Sequence, residues 1–288
     1  MEEKKEQKKK RRFRWWHLCY IFAALLAIWW FNNYTIRVNK NAYVTEKVTT
    51  RFRIVVISDL HIHEGGIGGD KVLSKISAAD PDMVFVLGDM YTTGSEQQVI
   101  DMAAKAVTDI AAEGYPTYFV SGEHDTDKGY IAALESAGVN VMNYRSDIIE
   151  VKGNRVQLIG IDNVYYSPTF DLSNEFTVDD GCLSILLAHI PNYPAFSEFG
   201  TDLTICADTH GGMFQLPFDL GPLVDPDNTD RWFPQILTDA TVFDKGWFQY
   251  VGGAMFITSG LGDSPYPVRF NNRPEVVVLD ILPEKEES

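Results

Sequence analysis

The stretch VISDLHIH, residues 56–63, joins an apolar, β-branched run to Asp59 and His61. The run Arg53–Ser58 has the length and composition of a buried strand. A second stretch, VFVLGDM at residues 84–90, repeats the arrangement with Asp89 after a strand. Polar side chains that directly follow buried strands indicate a ligand crevice at the carboxyl ends of a sheet. These two stretches predict an α/β fold.

The sequence around this pair alternates strand and helix signals. Helices are predicted at Asp70–Ala79, Ser95–Ala112 and Lys128–Ala137, with a third strand at Thr117–Val120. Such alternation with short links predicts a right-handed, largely parallel arrangement. Residues 139–166 then read as consecutive short strands. The later strand candidates are Leu183–Ala188, Leu203–Cys206, Phe248–Val251, Ala254–Thr258 and Glu275–Leu282, with the irregular residues 213–245 as a surface excursion from one domain.

Five predicted strands are each followed by an Asp, Glu or His. Besides the first two strands, FVSGEHD (119–125), SILLAHIP (184–191) and LTICADTHGG (203–212) have this form. Any one such residue is usually a helix cap or a satisfied polar group, but five in register favour a common site. Mixed imidazole and carboxylate ligands suit divalent Mn, Fe or Zn. Two ions that share a carboxylate can hold a bridging hydroxide for in-line attack at phosphorus.

These motifs resemble those of the calcineurin-like metallophosphoesterases. The resemblance covers roughly residues 50–283, and the stretch 259–281 is similar to the end of the membrane-anchored YkuE/YaeI-type branch. It implies a four-layer αββα sandwich with two central mixed sheets. It further implies that Asp59, His61 and His210 bind one metal, that Asp89 bridges, and that His189 binds the second metal. His124 would be the non-ligand catalytic histidine beside the phosphate, as an acid or a charge stabiliser.

The chain departs from the family pattern at the second metal. Glu123 stands where the family normally has Asn, and Asp208 where it has His. Both can still ligate, so we expect them to complete a second site with harder ligands, which favours Mn²⁺; Fe, Mg²⁺ and Zn²⁺ remain alternatives. The other interpretation is a degraded second site. A third departure is Met213, where the branch usually has Gln.

Two further features have alternative interpretations. Arg269 is predicted to bind the substrate phosphate or to pair with a carboxylate. Trp232, Phe233 and Phe243 either contact lipid or an apolar substrate, or cover the edge of the core. The cysteines at 19, 182 and 206 have no CxxC spacing, and Cys182 and Cys206 are predicted to be buried thiols, with a disulfide between them left open.

The N-terminus predicts a membrane anchor. Residues 1–14 carry eight Lys or Arg and read as a basic cytoplasmic leader, and the apolar segment 15–33 reads as a transmembrane helix with Trp at both ends. Residues 34–50 are polar and strand-like and read as a short stalk before a catalytic domain at 51–288. The 20 residues after Asn33 carry five basic residues, and eight against five favours a single-pass protein of the cell membrane with its catalytic domain outside.

The charge of the remaining chain limits its partners. Residues 15–288 hold 17 basic and 37 acidic residues, a net charge of −20. Such a body repels polyanions, so a nucleic acid polymer is disfavoured, whereas small or envelope-linked phosphate esters stay compatible because metal cations dominate the local field.

The predicted function is therefore metal-dependent hydrolysis of a phosphomonoester or phosphodiester. An extracytoplasmic sensor module with a degraded second metal site is an alternative from another class. The resemblance also admits a lipid phosphohydrolase similar to UDP-diacylglucosamine pyrophosphatases, which would need an active site facing the cytoplasm.

Overall fold

The structure is a computed structural model that describes residues 15–162, 171–239, 241–264 and 268–284. The predicted basic leader lies outside these residues. In chain order the elements are α1 (Trp16–Tyr34), β1 (Arg37–Thr45), β2 (Phe52–Ile57), α2 (Gly69–Ala79), β3 (Met83–Val86), α3 (Gln97–Ala112), β4 (Thr117–Phe119), α4 (Lys128–Ser136), β5 (Asn140–Val141), β6 (Arg145–Val151), β7 (Asn154–Ile161), α5 (Leu172–Glu175), β8 (Leu183–Ala188), α6 (Tyr193–Phe199), β9 (Leu203–Cys206), a 3₁₀ turn (His210–Gly212), β10 (Val224–Asp225), β11 (Asn228–Trp232), α7 (Pro234–Leu237), β12 (Gly246–Tyr250), β13 (Gly253–Ile257) and β14 (Glu275–Pro283).

Two mixed six-stranded sheets form the centre of the fold. The first has the order β1-β14-β2-β3-β4-β5, and the second has the order β12-β13-β9-β8-β7-β6. Strands β2 to β5 pair in parallel, as do β7, β8, β9 and β13, whereas β14–β2, β6–β7 and β12–β13 pair antiparallel. The predicted consecutive strands at 139–166 are thus divided between the sheets, because β5 belongs to the first and the β6–β7 hairpin to the second.

The alternation of apolar side chains along each strand produces four layers. In β2, Ile54 and Val56 pack between the two sheets, while Val55 and Ile57 face α2, α3 and α4. On the opposite side, α5 and α6 cover the second sheet, with Phe196 in the core. A strand with apolar residues on both faces is buried on both faces, and this explains the unbroken apolar runs of the sequence. The predicted αββα sandwich is confirmed.

The segment predicted as a stalk differs in the structure. Strand β1 pairs in parallel with β14 and forms the edge of the first sheet. Tyr43 stacks on Trp247 at 6.1 Å between ring centroids, and its hydroxyl donates to the Asp202 carbonyl. The segment is strand-like in sequence, but its place in the sheet was not predicted, because it is polar and an edge strand needs only one apolar face.

Helix α1 carries mostly exposed apolar side chains along its length and ends on two buried residues, Asn32 and Asn33. The Arg273 guanidinium lies 4.3 Å from the ring centroid of Phe31, which fixes the end of the helix to the loop before β14. Within the described part of the chain, no helix has both the length and the apolar content needed to cross a membrane.

Residues 213–239 and 241–245 form the predicted surface excursion, with the β10–β11 ribbon and α7. Phe243 stacks on Tyr193 at 4.8 Å between centroids and packs against the core, so it covers the core edge as one interpretation predicted. Trp232 instead stays 55% exposed. Cys182 and Cys206 are buried free thiols, as predicted, and no disulfide joins them.

Candidate metal centre

The loops after five strands bring the predicted residues to one place. Asp59 and His61 follow β2, Asp89 follows β3, and Glu123 with His124 follows β4. His189 directly follows β8, and Asp208 with His210 follows β9. Four overlapping groups have ligand atoms within 4.8 Å of one another: Asp59–His61–His210, His61–Asp89–His124, Asp59–Asp89–His189 and Glu123–His189–Asp208.

The loops hold these side chains in an unusual backbone conformation. Asp59, His61, Asp89, Asp208 and His210 all have φ between 40° and 68°, which is rare for residues with a Cβ. Such positions cluster at functional sites, because the surrounding structure must compensate their cost.

Two glycines allow the β3 and β4 loops to meet. Gly88 has a φ of 80°, and a Cβ there would overlap the Gly122 main chain. A Cβ on Gly122 would in turn overlap Asp89 Oδ1. The close approach of the two loops therefore requires glycine at both positions.

The first group of ligand candidates, which we call the first half-site, is fully enclosed. Asp59, His61 and His210 are 0%, 3% and 8% exposed. The Ser58 hydroxyl donates to Asp59 Oδ2 at 2.5 Å, and the Nε2 atom of His210 lies 3.8 Å from Asp59 Oδ1. His61 contacts the Thr92 hydroxyl through Nδ1 at 3.0 Å, so its Nε2 is directed into the group.

Asp89 stands between the two halves of the centre. Its Oδ2 lies 3.3 Å from His189 Nε2, 3.7 Å from His61 Nε2 and 3.8 Å from His124 Nε2. Its loop is held by the buried Asp125 carboxylate, which accepts hydrogen bonds from the main-chain N–H groups of Asp89 at 2.6 Å and Gly122 at 3.0 Å. The sequence shows Asp125 in the GEHD motif but gives it no role, whereas the structure places it behind the ligands.

The second half-site comprises Glu123, His189 and Asp208 and is more open. His189 is buried, and its Nδ1 faces the Leu87 carbonyl, which can only accept a hydrogen bond. The Nε2 lone pair of the neutral ring therefore points into the centre, 3.8 Å from Asp208 Oδ1. The Asp208 side chain is 29% exposed, and Glu123 is exposed to solvent.

His124 has the opposite tautomer. Its Nδ1 accepts a hydrogen bond from the Thr93 main-chain N–H at 3.2 Å and contacts the Thr93 hydroxyl at 2.8 Å. Because a main-chain N–H can only donate, the proton of the neutral ring sits on Nε2, which faces Asp89. The ring is thus a donor toward the centre rather than a lone-pair ligand.

Burial and mutual repulsion shift the pKa values of these groups. Burial raises the pKa of Asp59 to about 6, and burial with repulsion from Glu123, Asp59 and Asp89 raises that of Asp208 to about 7. Burial lowers the pKa of His61 to about 4. His189 behaves differently: burial lowers its pKa, but Asp89, Asp59 and Asp208 outweigh burial and raise the pKa well above its usual value, while His189 in turn helps to lower the pKa of Asp89. Carboxylates that are hard to ionise, and an imidazole that draws a proton to balance them, are typical of a site completed by cations.

Two buried imidazole nitrogens also fit a metal site. The Nε2 atoms of His61 and His189 are buried and have no hydrogen-bond partner among the described residues. A buried polar atom without a partner is costly, unless a ligand satisfies it. Two such imidazole nitrogens on either side of a carboxylate match the N and O ligands of divalent transition ions.

Arg269 lies inside the protein, 1% exposed. Its Nε donates to the Gly262 carbonyl at 2.6 Å, and its Nη2 lies 3.3 Å from His210 Nδ1. Burial lowers the pKa of Arg269 to about 10, and the nearby Asp59 partly offsets that shift. The guanidinium therefore lies behind the first half-site. Because it can only donate, coordination of an ion by His210 Nε2 would require its contact with Nδ1 to be lost.

The main chain of Arg269 is held by helix α1. The Asn33 side chain accepts a hydrogen bond from the Arg269 N–H at 2.6 Å and donates to its carbonyl at 3.2 Å. This contact joins residues that are 236 positions apart, so the sequence gives no sign of it.

The sequence is similar to that of known phosphoesterases. The family model described as calcineurin-like phosphoesterase matches residues 52–213. The chain is 24% identical over 240 residues to the uncharacterized metallophosphoesterase YkuE of Bacillus subtilis (strain 168), a match that covers 80% of this chain and 79% of YkuE. It is 26% identical over 250 residues to the phosphodiesterase YaeI of Escherichia coli (strain K12), which covers 80% of this chain and 82% of YaeI.

Solved structures show more distant likeness. The NAD nucleotidase NadN of Haemophilus influenzae matches with a TM-score of 0.47 and 17% identity. The match covers 82% of this chain and 48% of NadN. The protein TT1561 of Thermus thermophilus matches with a TM-score of 0.43 and 10% identity, over 74% of this chain and 92% of that one. No statement about activity follows from likeness at this level.

Proposed function

The chain belongs to the calcineurin-like phosphoesterase family, and we propose that it hydrolyses phosphodiesters at the centre formed by the two half-sites. The family and the His/Asp groups support metal-dependent cleavage of a phosphate ester. The likeness to a protein named phosphodiesterase supports a diester rather than a monoester. The observation that carries the proposal is the pair of buried Nε2 atoms on either side of Asp89, which lie 3.3 and 3.7 Å from its Oδ2 and make no well-formed hydrogen bond among the described residues.

In this proposal each half-site holds one divalent cation. Asp59, His61 and His210 hold the first, and Glu123, His189 and Asp208 hold the second. Asp89, whose Oδ2 lies 3.7 Å from His61 Nε2 and 3.3 Å from His189 Nε2, would be available as a ligand to both ions. When bound, the two cations supply Lewis-acid stabilisation of phosphoryl charge and make hydroxide available near neutral pH.

The residues of the chain supply orientation and a proton. His124 carries its proton on Nε2, on the side that faces the centre. It therefore donates to a phosphoryl oxygen or to the departing ester oxygen, which would otherwise leave as an unstabilised alkoxide. Thr93 fixes this tautomer, and Asp125 fixes the loops that carry Asp89 and His124.

The metal proposed is Mn²⁺ in the second half-site. Two carboxylates and one imidazole form a harder donor set than the two imidazoles and one carboxylate of the first half-site. Fe, Mg²⁺ and Zn²⁺ are the alternatives, and comparison of metals in the assay described below distinguishes them.

We further propose that the chain belongs to the membrane-anchored YkuE/YaeI-type branch and is attached to a cell membrane through its N-terminus. The exposed apolar side chains of α1 support lipid contact. The orientation proposed, with a cytoplasmic leader and an extracytoplasmic catalytic domain, rests on the eight basic residues before the helix and not on the helix itself, which does not combine the length and apolar content of a membrane span. The lipid phosphohydrolase alternative needs the opposite orientation.

The test uses the full chain in detergent, because β1 lies before residue 46 and a fragment beginning at residue 46 would lack an edge strand. The metal-free protein is loaded with Mn²⁺, Fe²⁺, Mg²⁺ or Zn²⁺, and both metal content and turnover are measured. The substrates are bis(p-nitrophenyl) phosphate and p-nitrophenyl phosphate. We expect about two ions per chain and faster turnover of the diester. One ion or none, with no turnover of either ester, would support the sensor module instead.

A further inference from the structure

A cleft of about 500 Å³ opens directly beside the metal centre. Asp208 and His210 belong both to the centre and to the wall of the cleft. This volume lies within the range of small-molecule sites. Any phosphate ester bound at the centre therefore has room on this side for the organic group attached to its phosphorus.

Most of the remaining wall is apolar and faces solvent. It includes Met213, Phe214, Val224, Trp232 and Val268. Trp232 is 55% exposed and Val268 is 44% exposed. Apolar side chains grouped around a concave surface next to a reaction centre typically form the binding site of an apolar ligand group.

The cleft wall is held in place by ring stacking and a main-chain hydrogen bond. Phe214 stacks on Phe270 at 4.5 Å between ring centroids, and the Phe270 N–H donates to the Met213 carbonyl at 3.1 Å. Met213 itself has a φ of 54°, a costly conformation for a residue with a Cβ. The backbone thus holds a flexible, apolar thioether beside His210.

The charged side chains of the wall are unfavourable for an anion. Among the described residues that line the cleft, Asp208, Asp225 and Asp227 are the carboxylates, and neither Lys nor Arg is present. Asp225 pairs with Arg231 at 2.9 Å, whereas Asp227 has no ion pair among the described residues. A second phosphate or a carboxylate placed here would meet negative charge without a balancing cation.

We propose that this cleft is the subsite for an uncharged, apolar organic group of the phosphodiester substrate. The inference rests on the proposed phosphodiesterase activity and deepens it, because it names the chemical class of the group that the enzyme accepts. Such a group gains about 0.8 kcal/mol for each methylene that leaves water, which is up to about fourfold per methylene.

The test uses alkyl p-nitrophenyl phosphates with methyl, propyl and hexyl groups, all with the same leaving group. We expect kcat/KM to rise about two- to fourfold per methylene in the Mn²⁺-loaded full chain. Trp232→Ala and Met213→Gln should each lower the ratio of hexyl to methyl kcat/KM severalfold, and Val251→Ala, at a 97% exposed residue outside the cleft wall, should leave the ratio unchanged. A thermal unfolding curve of each variant shows whether that variant is folded. If Trp232→Ala does not fold, Met213→Gln still tests the cleft.

A second arm uses a hexyl group that ends in a carboxylate. The carboxylate should remove most of the gain from the chain, and Asp227→Asn should restore part of it, about threefold or more. Equal kcat/KM for the methyl and hexyl esters, or an unchanged ratio in both cleft variants, would overturn the subsite. Absence of hydrolysis of every ester with every metal would instead overturn the proposed function.

Discussion

The two half-sites of the metal centre are built from the same kinds of loop but differ in enclosure. The first half-site, Asp59–His61–His210, is almost without solvent contact. The second has only His189 buried, while Asp208 is partly exposed and Glu123 is exposed. Arg269 lies behind the first half-site, whereas the apolar cleft is lined by one ligand from each half-site, His210 and Asp208.

This difference in exposure suits the first half-site to holding a metal ion and the second to contact with substrate. Ligands that are enclosed by packing change little when solvent or substrate changes. The open half-site carries both positions that differ from the pattern expected for the family, Glu123 and Asp208, and its exposure leaves it accessible to an incoming ester. We therefore expect the first ion to be bound more tightly and the second to exchange more readily.

The largest effect is expected for the residue that the half-sites share. Asp89→Asn keeps the shape but removes the charge that faces His61 and His189. Cations that supply several kcal/mol of stabilisation would be lost or displaced, so we expect kcat/KM to fall at least about 10⁴-fold. Metal content and turnover are measured together, with Asp109→Asn at a surface ion pair as the control. Normal metal content with normal turnover would refute the shared position.

A smaller effect, limited to chemistry, is expected at His124. His124→Ala should leave about two ions bound and lower kcat by about 10²–10⁴-fold for alkyl leaving groups. Nitrophenyl esters should lose less, because nitrophenolate needs little protonation. Equal losses for both kinds of ester, or a loss of metal, would contradict the role of His124 as a proton donor.

The two departures can be reversed to test the difference in ligand hardness. Glu123→Asn combined with Asp208→His replaces two anionic ligands by neutral ones. We expect the ratio of Zn²⁺- to Mn²⁺-supported turnover to rise about tenfold, because softer donors favour Zn²⁺. The pair must be changed together, since both residues contact one ion and their effects do not add. The single variant His63→Ala, at an exposed histidine outside the four ligand groups, is the control. An unchanged ratio would exclude both residues from the second site.

The smallest effect concerns the link between α1 and the first half-site. Asn33→Ala removes two hydrogen bonds to the Arg269 main chain. We expect kcat to fall about three- to tenfold with little change in KM, because the loss acts through the position of His210. Asn32→Ala is the matched control, because the Asn32 side chain donates to the Ile28 carbonyl within the helix and has no hydrogen bond to Arg269 among the described residues. Equal effects of the two variants would reduce Asn33 to a general structural role.

The sequence was informative where strands end in polar residues. The apolar runs at 53–58, 83–87, 183–188 and 203–206 predicted both the strands and the edge where their loops meet. It was uninformative where the structure depends on contacts between distant residues. The strand-like character of residues 34–50 was visible, but the pairing of β1 with β14 was not, and Asn33 meets Arg269 across 236 positions. The cleft could not be predicted either, because its wall combines a 3₁₀ turn, a ribbon and a distant loop.

A titration of metal-free protein with Mn²⁺ tests the central claim most directly. Bound Mn²⁺ is followed by electron paramagnetic resonance while diester turnover is measured in the same samples. The asymmetric two-metal centre predicts two ions per chain, a tighter one that binds with little turnover and a weaker one with which activity appears. The His61→Ala variant should lose the tight ion, and Glu123→Ala should weaken only the second. Full turnover with a single ion per chain, or no bound ion at all, would contradict the account.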